Sequence, residues 1–167
     1  ASGYAGWTEE TCAGRRYGGE WNNNMVSSEQ LLFDADRAWT HARYADKNAN
    51  GDAGDLSPNA VNCVGLVGIS AHDIGAWSGD LKFRYIGGYP LMQDGSLRAP
   101  SALVANLRVQ RRLNNWAAIS LDALNLLDRK YYDIAYGQDY RLTPTSPVVA
   151  NGTTVHPGEP RQIRATL

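Results

Sequence analysis

A two-residue alternation of apolar and polar side chains, sustained over long stretches, constrains this chain more than any other feature. Leu81, Phe83 and Tyr85 fall on one face of an extended segment, and Lys82 and Arg84 on the other. Leu31, Phe33, Ala35 and Trp39 likewise oppose Asp34, Asp36 and Thr40. Leu103, Ala105, Leu107 and Val109 oppose Asn106, Arg108, Gln110 and Arg112, and Ile119, Leu121 and Ala123 oppose Ser120 and Asp122. Successive side chains of a strand point to opposite faces, so a period of two with one apolar face marks a strand covered on one side. Such segments run over 15–26, 29–45, 61–74, 79–91, 102–113, 116–132 and 160–167. Most reach the roughly 9–11 residues that cross a bilayer at a tilt, whereas strands of soluble proteins cluster near about 5–6.

Connection lengths carry the second constraint. Turn residues make short connections at Ser27-Ser28, Gly75-Ala-Trp-Ser78 and Asn114-Asn115. Long polar connections fall near 46–60, 92–101 and 133–159. Short and long therefore alternate, as in outer-membrane barrels with tight turns on one side and long loops on the other. The expected fold is all-β: an antiparallel up-and-down meander of about seven long strands, part of a transmembrane β-barrel. Period alone does not say whether the apolar face meets lipid or a protein core, because a water-soluble barrel or sandwich gives the same stripes.

Composition closes off other classes. The net charge of −1 argues against a nucleic-acid partner, since phosphate binding needs a basic face. No apolar run approaches the roughly 18 residues of a membrane helix, and a barrel remains open because its strands average out in hydropathy. Seventeen Gly, nine Tyr and five Trp against two Phe favour β structure with many turns. The start, Ala1-Ser-Gly-Tyr-Ala-Gly-Trp-Thr-Glu9, has neither a basic region nor an apolar run, so the expectation is an internal or processed segment. Cys12 and Cys63 lack a C-x-x-C spacing; two separate thiols and a disulfide are both compatible with it.

Few residues nominate chemistry. Asp46, Asn48, Asn50 and Asp52 follow the opening of a calcium loop around Gly51. The closing position holds Ser57 instead of a bidentate Glu, so a hydrophilic surface loop explains the same letters. Ser70, His72 and Asp73 resemble a hydrolase alphabet, but near neighbours on a strand diverge and form no relay. His41, His72 and His156 have no metal-ligand spacing, and no nucleotide or nucleophile motif is present. The expectation is a protein that is not an enzyme and has no cofactor, calcium excepted.

Several motifs in order carry a resemblance. Leu121-Asp-Ala-Leu-Asn-Leu-Leu-Asp-Arg-Lys-Tyr-Tyr132 is followed by His156-Pro-Gly-Glu-Pro-Arg-Gln-Ile-Arg-Ala-Thr-Leu167. Upstream stand Arg15-Arg-Tyr-Gly-Gly-Glu-Trp-Asn-Asn23, Leu32-Phe-Asp-Ala-Asp36, Ala38-Trp-Thr-His-Ala42 and His72-Asp-Ile-Gly-Ala-Trp-Ser-Gly79. Together these resemble the carboxyl-terminal part of the β-barrel of TonB-dependent outer-membrane receptors. The resemblance implies that residues 1–167 are one segment of such a barrel, without its plug domain and most of its strands. It implies residence in the outer membrane of a Gram-negative bacterium and TonB-dependent uptake of a scarce nutrient, such as an iron–siderophore complex. The implied partners are the rest of the barrel and plug, the TonB complex through that plug, outer-membrane lipid and a small-molecule ligand.

Ligand contact is expected in the longest connection, at Tyr136, Gln138, Asp139, Tyr140 and Arg141, where exposure combines with aromatic and polar side chains; an unstructured loop tip is the alternative. The polar stripes would line the lumen. Arg37 and Arg111 depart from the pattern, each being in phase with apolar neighbours, and Leu66 falls among the lumen positions. The competing expectation, motivated by those arginines, is a soluble β-rich carbohydrate- or ligand-binding module.

Overall fold

The structure, a computed structural model, describes residues 13–45 and 54–167. In chain order its strands are β1 (Gly14–Ser28), β2 (Leu31–Tyr44), β3 (Cys63–Ile74), β4 (Trp77–Ile86), β5 (Tyr89–Pro90), β6 (Arg98–Ala99), β7 (Ala102–Arg112), β8 (Ala118–Leu124), β9 (Tyr132–Tyr140), β10 (Val149–Pro157) and β11 (Gln162–Thr166). Seven of them form one antiparallel sheet in the order β1-β2-β3-β4-β7-β8-β11. The pairs β5–β6 and β9–β10 are separate two-stranded ribbons inside long connections. The expected all-β meander of seven strands is the observed fold. Tight turns join β1 to β2, β3 to β4 and β7 to β8 at one end, and every long connection lies at the other.

Register shows why the alternation reads so cleanly. Phe33 pairs with Ile69, Ile69 with Leu81, Leu81 with Leu107, Leu107 with Ala123 and Ala123 with Ile163, so one row of apolar side chains crosses six strands. That face is open. Val67 is 55% exposed, Leu121 50% and Ile163 71%. A soluble sandwich would bury such a face beneath a second layer; here the buried apolar cluster lies elsewhere. Tyr89, Leu91, Ala99 and Ala135 form it, with Val61 and Leu97 against them, among the long connections.

Four places differ from the sequence expectation. The stretch 116–132 is not one strand: β8 ends at Leu124, and Asn125 and Asp128 adopt left-handed φ values of 48° and 51° that turn the chain off the sheet. The connection 133–159 is not a bare loop but the β9–β10 hairpin. The stretch 79–91 breaks at Gly87 and Gly88, which come so close to backbone that a Cβ would stand 2.9 Å from the carbonyl oxygens of Cys63 and Ala99. The first turn lies at Glu29-Gln30, with Ser27 and Ser28 still inside β1.

Candidate functional site

The apolar face carries aromatics at two levels. Near the tight turns, the Arg111 guanidinium lies 5.3 Å from the Trp77 ring centroid, a cation–π distance that accounts for a charge at the end of this face. Toward the long connections, Trp21 pairs with Arg37 and Gly19 with Trp39. The Trp39 indole fills the room that Gly19 leaves, its Nε1 3.1 Å from where a Cβ would be. Tyr17 meets Trp39 edge-to-face with ring centroids 6.1 Å apart. Arg37 is mid-strand on this face and forms no ion pair among the described residues.

The opposite face is a charged lining. Asp80, Arg108, Asp122 and Arg164 occupy one cross-strand row, so charges alternate across four strands. The Arg108 Nε lies 3.5 Å from Asp122 Oδ1. Asp34 pairs with Gly68, and its carboxylate occupies the space a side chain there would take. Leu66 sits between Asp36 and Arg84 in the next row, as the alternation predicts. Against this face a cavity of about 520 Å³ is lined by Lys82, Arg84, Asn106, Tyr131, Asp133 and His156, among others.

The residues expected to touch ligand fall mainly on β9. Alternation places Tyr136, Gln138 and Tyr140 on one side of the hairpin. Ala135 and Gly137 take the other side and dock the hairpin: Ala135 is 1% exposed in the apolar cluster, and a Cβ on Gly137 would stand 3.0 Å from Met92 Sδ. Gln138 Nε2 donates to Thr154 Oγ1 at 3.2 Å, and the Tyr140 ring covers Gly152. Asp139 Oδ1 accepts from the Asn151 backbone N–H at 2.7 Å where the ladder is irregular, a bond that fixes the far end of the hairpin. Arg141 follows immediately after β9 and is exposed. The hairpin thus presents two tyrosines and an amide outward on a docked scaffold.

Asn125 ties this hairpin to the seven-stranded sheet, a role the sequence reading missed. It is 2% exposed. Its Nδ2 donates to the carbonyl oxygens of Arg129 at 2.9 Å and Glu159 at 3.0 Å, and its Oδ1 accepts from the Arg129 N–H at 2.9 Å. The Asn125 backbone N–H donates to Asn106 Oδ1 at 2.9 Å. Arg161 Nη2 reaches Asp128 Oδ2 at 3.0 Å, and Gly158 packs against the Tyr131 ring. The 125–132 and 156–161 motifs are therefore the two halves of one hydrogen-bonded corner. Asn suits it because its short amide tolerates left-handed φ.

Other sequence candidates resolve as turn chemistry. Asp73 accepts from Arg112 Nη1 at 3.3 Å, and its own backbone N–H donates to Ser78 Oγ at 3.2 Å. In the long connection after β5, Ser96 donates to Asp94 through both its hydroxyl and its N–H, which holds the Asp94 carboxyl below its ordinary pKa. The calcium candidates Asp46, Asn48, Asn50 and Asp52, and Cys12, lie outside the described residues. Cys63 is a free thiol. Among the described residues no three His, Cys, Asp or Glu side chains converge as a metal group would need.

No family model and no curated protein matches the sequence. Solved structures match the fold strongly. The chain is similar to the ferric yersiniabactin uptake receptor from Yersinia pestis, with a TM-score of 0.69 at 16% identity, covering 91% of this chain and 23% of that one. It is similar to the siderophore receptor PiuA from Acinetobacter baumannii, with a TM-score of 0.69 at 12% identity over 91% of this chain and 21% of that one. It is also similar to the ferric-catecholate import receptor Fiu from E. coli K12, with a TM-score of 0.67 at 18% identity over 90% and 20%. The chain spans between a fifth and a quarter of the length of these receptors. Its fold is that of part of the β-barrel of TonB-dependent receptors.

Proposed function

We propose that this chain is a section of the barrel wall of a TonB-dependent receptor in the outer membrane of a Gram-negative bacterium, taking part in uptake of a scarce nutrient. The observation that carries it is the pairing of an open apolar face with a charged opposite face across one sheet. Lipid covers the first, and the lumen with its plug faces the second. The long connections then stand outside the membrane, where β9 offers Tyr136, Gln138 and Tyr140 to ligand. Tyrosines on a docked hairpin suit a flat, polar, partly aromatic ligand, because stacking and hydrogen bonding come from the same side chain. That chemistry and the similar receptors together favour an iron–siderophore complex. The TonB complex would act through the plug, and Asp46, Asn48, Asn50 and Asp52 would supply the oxygen ligands of a calcium ion.

The test is made on the intact protein that contains this chain. Membrane fractionation should place it in the outer membrane, and disruption of its gene should abolish growth on one iron–siderophore complex while leaving growth on inorganic iron. Recovery in the soluble fraction, or unaltered growth across a panel of siderophores, contradicts the proposal.

A further inference from the structure

We propose that the β1–β2 part of the apolar face joins two copies of the intact protein in the membrane, with Arg37 of each copy over the Trp21 ring of the other. This rests on the reading of that face as the lipid-facing wall. Arg37 is exposed at mid-strand and has neither an ion pair nor a cation–π contact among the described residues. Arg111, near the tight turns of the same face, already has the Trp77 ring. At about 3.3 Å per residue and a tilt near 40°, Arg37 stands roughly 15 Å above the tight-turn end, in the middle of an apolar band about 25 Å tall. Lipid phosphates lie far from that depth, and ionisable groups there pair with other protein groups. Glu20 does not serve, because it pairs with Ala38 and so belongs to the opposite face.

The surroundings of Arg37 select a second copy. Trp21 is its direct cross-strand neighbour on one side and is 56% exposed, and Gly65 is its neighbour on the other. Gly19, Trp21, Arg37 and Trp39 border a recess of about 580 Å³. The face thus offers an unpaired cation and a free indole side by side, next to a hollow. Two barrels related by a two-fold axis along the bilayer normal bring residues of equal depth together, and residue i then meets j while j meets i. Paired strands lie about 4.8 Å apart, so at this tilt Trp21 and Arg37 differ in height by roughly 3 Å. An arginine side chain spans that difference. An axis passing between β1 and β2 therefore makes the same cation–π pair twice, in hydrocarbon, where such contacts are strongest. An acidic partner would satisfy Arg37 but would leave Trp21 without a role. The charge that burdens a lone barrel becomes the group that joins two.

The experiment follows energy transfer between donor-labelled and acceptor-labelled copies of the intact protein in phosphatidylcholine vesicles as the protein-to-lipid ratio is raised. The unmodified protein should self-associate. Arg37→Leu and Trp21→Leu should each weaken association by about thirtyfold or more, the factor for one desolvated cation–π contact. The double variant should be no weaker than either, because all three remove the same pairs. Arg111→Leu removes the other charge of this face and should change nothing. Mixing Arg37→Leu copies with Trp21→Leu copies restores one of the two contacts, so the mixture should associate about thirtyfold more tightly than either variant alone. Absence of self-association, unchanged association in either single variant, or no rescue in the mixture overturns the proposal. Failure of the unmodified protein to insert into phosphatidylcholine would instead sink the wall reading beneath it, and thermal melting at high dilution in that lipid checks that each variant is folded.

Discussion

Asn125 and Glu159 meet across the base of the β9–β10 hairpin, with the Asn125 Nδ2 donating to the Glu159 carbonyl oxygen at 3.0 Å. One amide thereby links the end of β8 to the approach to β11 and closes the turn through Arg129. Asn125→Ala removes both donors and the acceptor from a buried position, and leaves a Cβ-branched-free but still strained left-handed backbone. Each buried group left unpaired costs about 1–3 kcal/mol, so the corner should lose about 2–4 kcal/mol. Equilibrium unfolding in a bilayer measures this. Asn125→Gly, which relieves the backbone, should recover only the smaller part, and full recovery would show that the amide bonds contribute little.

Arg37 tests the environment of the apolar face. It lies six residues beyond Leu31, about 15 Å above the tight-turn end at the same rise and tilt, which is near mid-depth. Arg37→Leu should stabilise the barrel by roughly 2–4 kcal/mol in phosphatidylcholine, the penalty of an arginine at the midplane. Destabilisation would mean that the guanidinium has an acidic partner supplied by another part of the protein.

The hairpin can be challenged from either side. Replacing Tyr136, Gln138 and Tyr140 together by Ala should weaken ligand binding by the intact protein at least tenfold while leaving the melting temperature unchanged. Gly137→Val attacks the docking side, where a Cβ would meet Met92 and Leu91 at 3.0–3.2 Å. Such overpacking costs about 1–3 kcal/mol. It should weaken binding and also make the hairpin susceptible to protease. Unchanged affinity in the triple variant removes β9 from the ligand site.

The charged row predicts a small effect. Arg108 is 52% exposed and lies 3.5 Å from Asp122. Exposed pairs contribute about 0–1 kcal/mol and weaken with salt. Asp122→Asn should therefore destabilise by less than about 1 kcal/mol, with the difference shrinking as salt is raised. A larger, salt-independent loss would mean that this face is dry.

Most of the sheet strands were legible in the sequence because one face stays mainly apolar and follows a period of two; β1 is the weakest case, with Arg15, Gly19 and Asn23 in phase with Tyr17, Trp21 and Met25. The same logic could not find β9 and β10. Both sides of that hairpin carry mixed residues, Gly137 and Gly152 interrupt the pattern, and the docking face is apolar chiefly at Ala135 and its cross-strand partner Val155. The end of β8 was hidden for a different reason. Leu124 and Leu126 fall in the phase of Ser120 and Asp122 while Asn125 falls in that of Ala123, so the alternation reverses at the end of β8 with no Gly or Pro to mark where the chain leaves the sheet. The sequence singles out the ligand candidates as a group from exposure and composition alone. The division of labour among them, with Asp139 spent on the Asn151 N–H, depends on a ladder irregularity that no local sequence pattern encodes.

The most direct measurement of the central claim is spin-label accessibility along β3 and β4 of the intact protein in bilayers. Nitroxides placed singly at Leu66, Val67, Gly68, Ile69, Lys82 and Phe83 would be challenged with oxygen, which concentrates in lipid, and with a water-soluble nickel chelate. Val67, Ile69 and Phe83 should collide mainly with oxygen, and Leu66, Gly68 and Lys82 should not, giving a two-residue oscillation. Nickel accessibility at Val67, Ile69 and Phe83, with no oscillation in oxygen, would show that the apolar face meets water or protein and would contradict a lipid-facing wall.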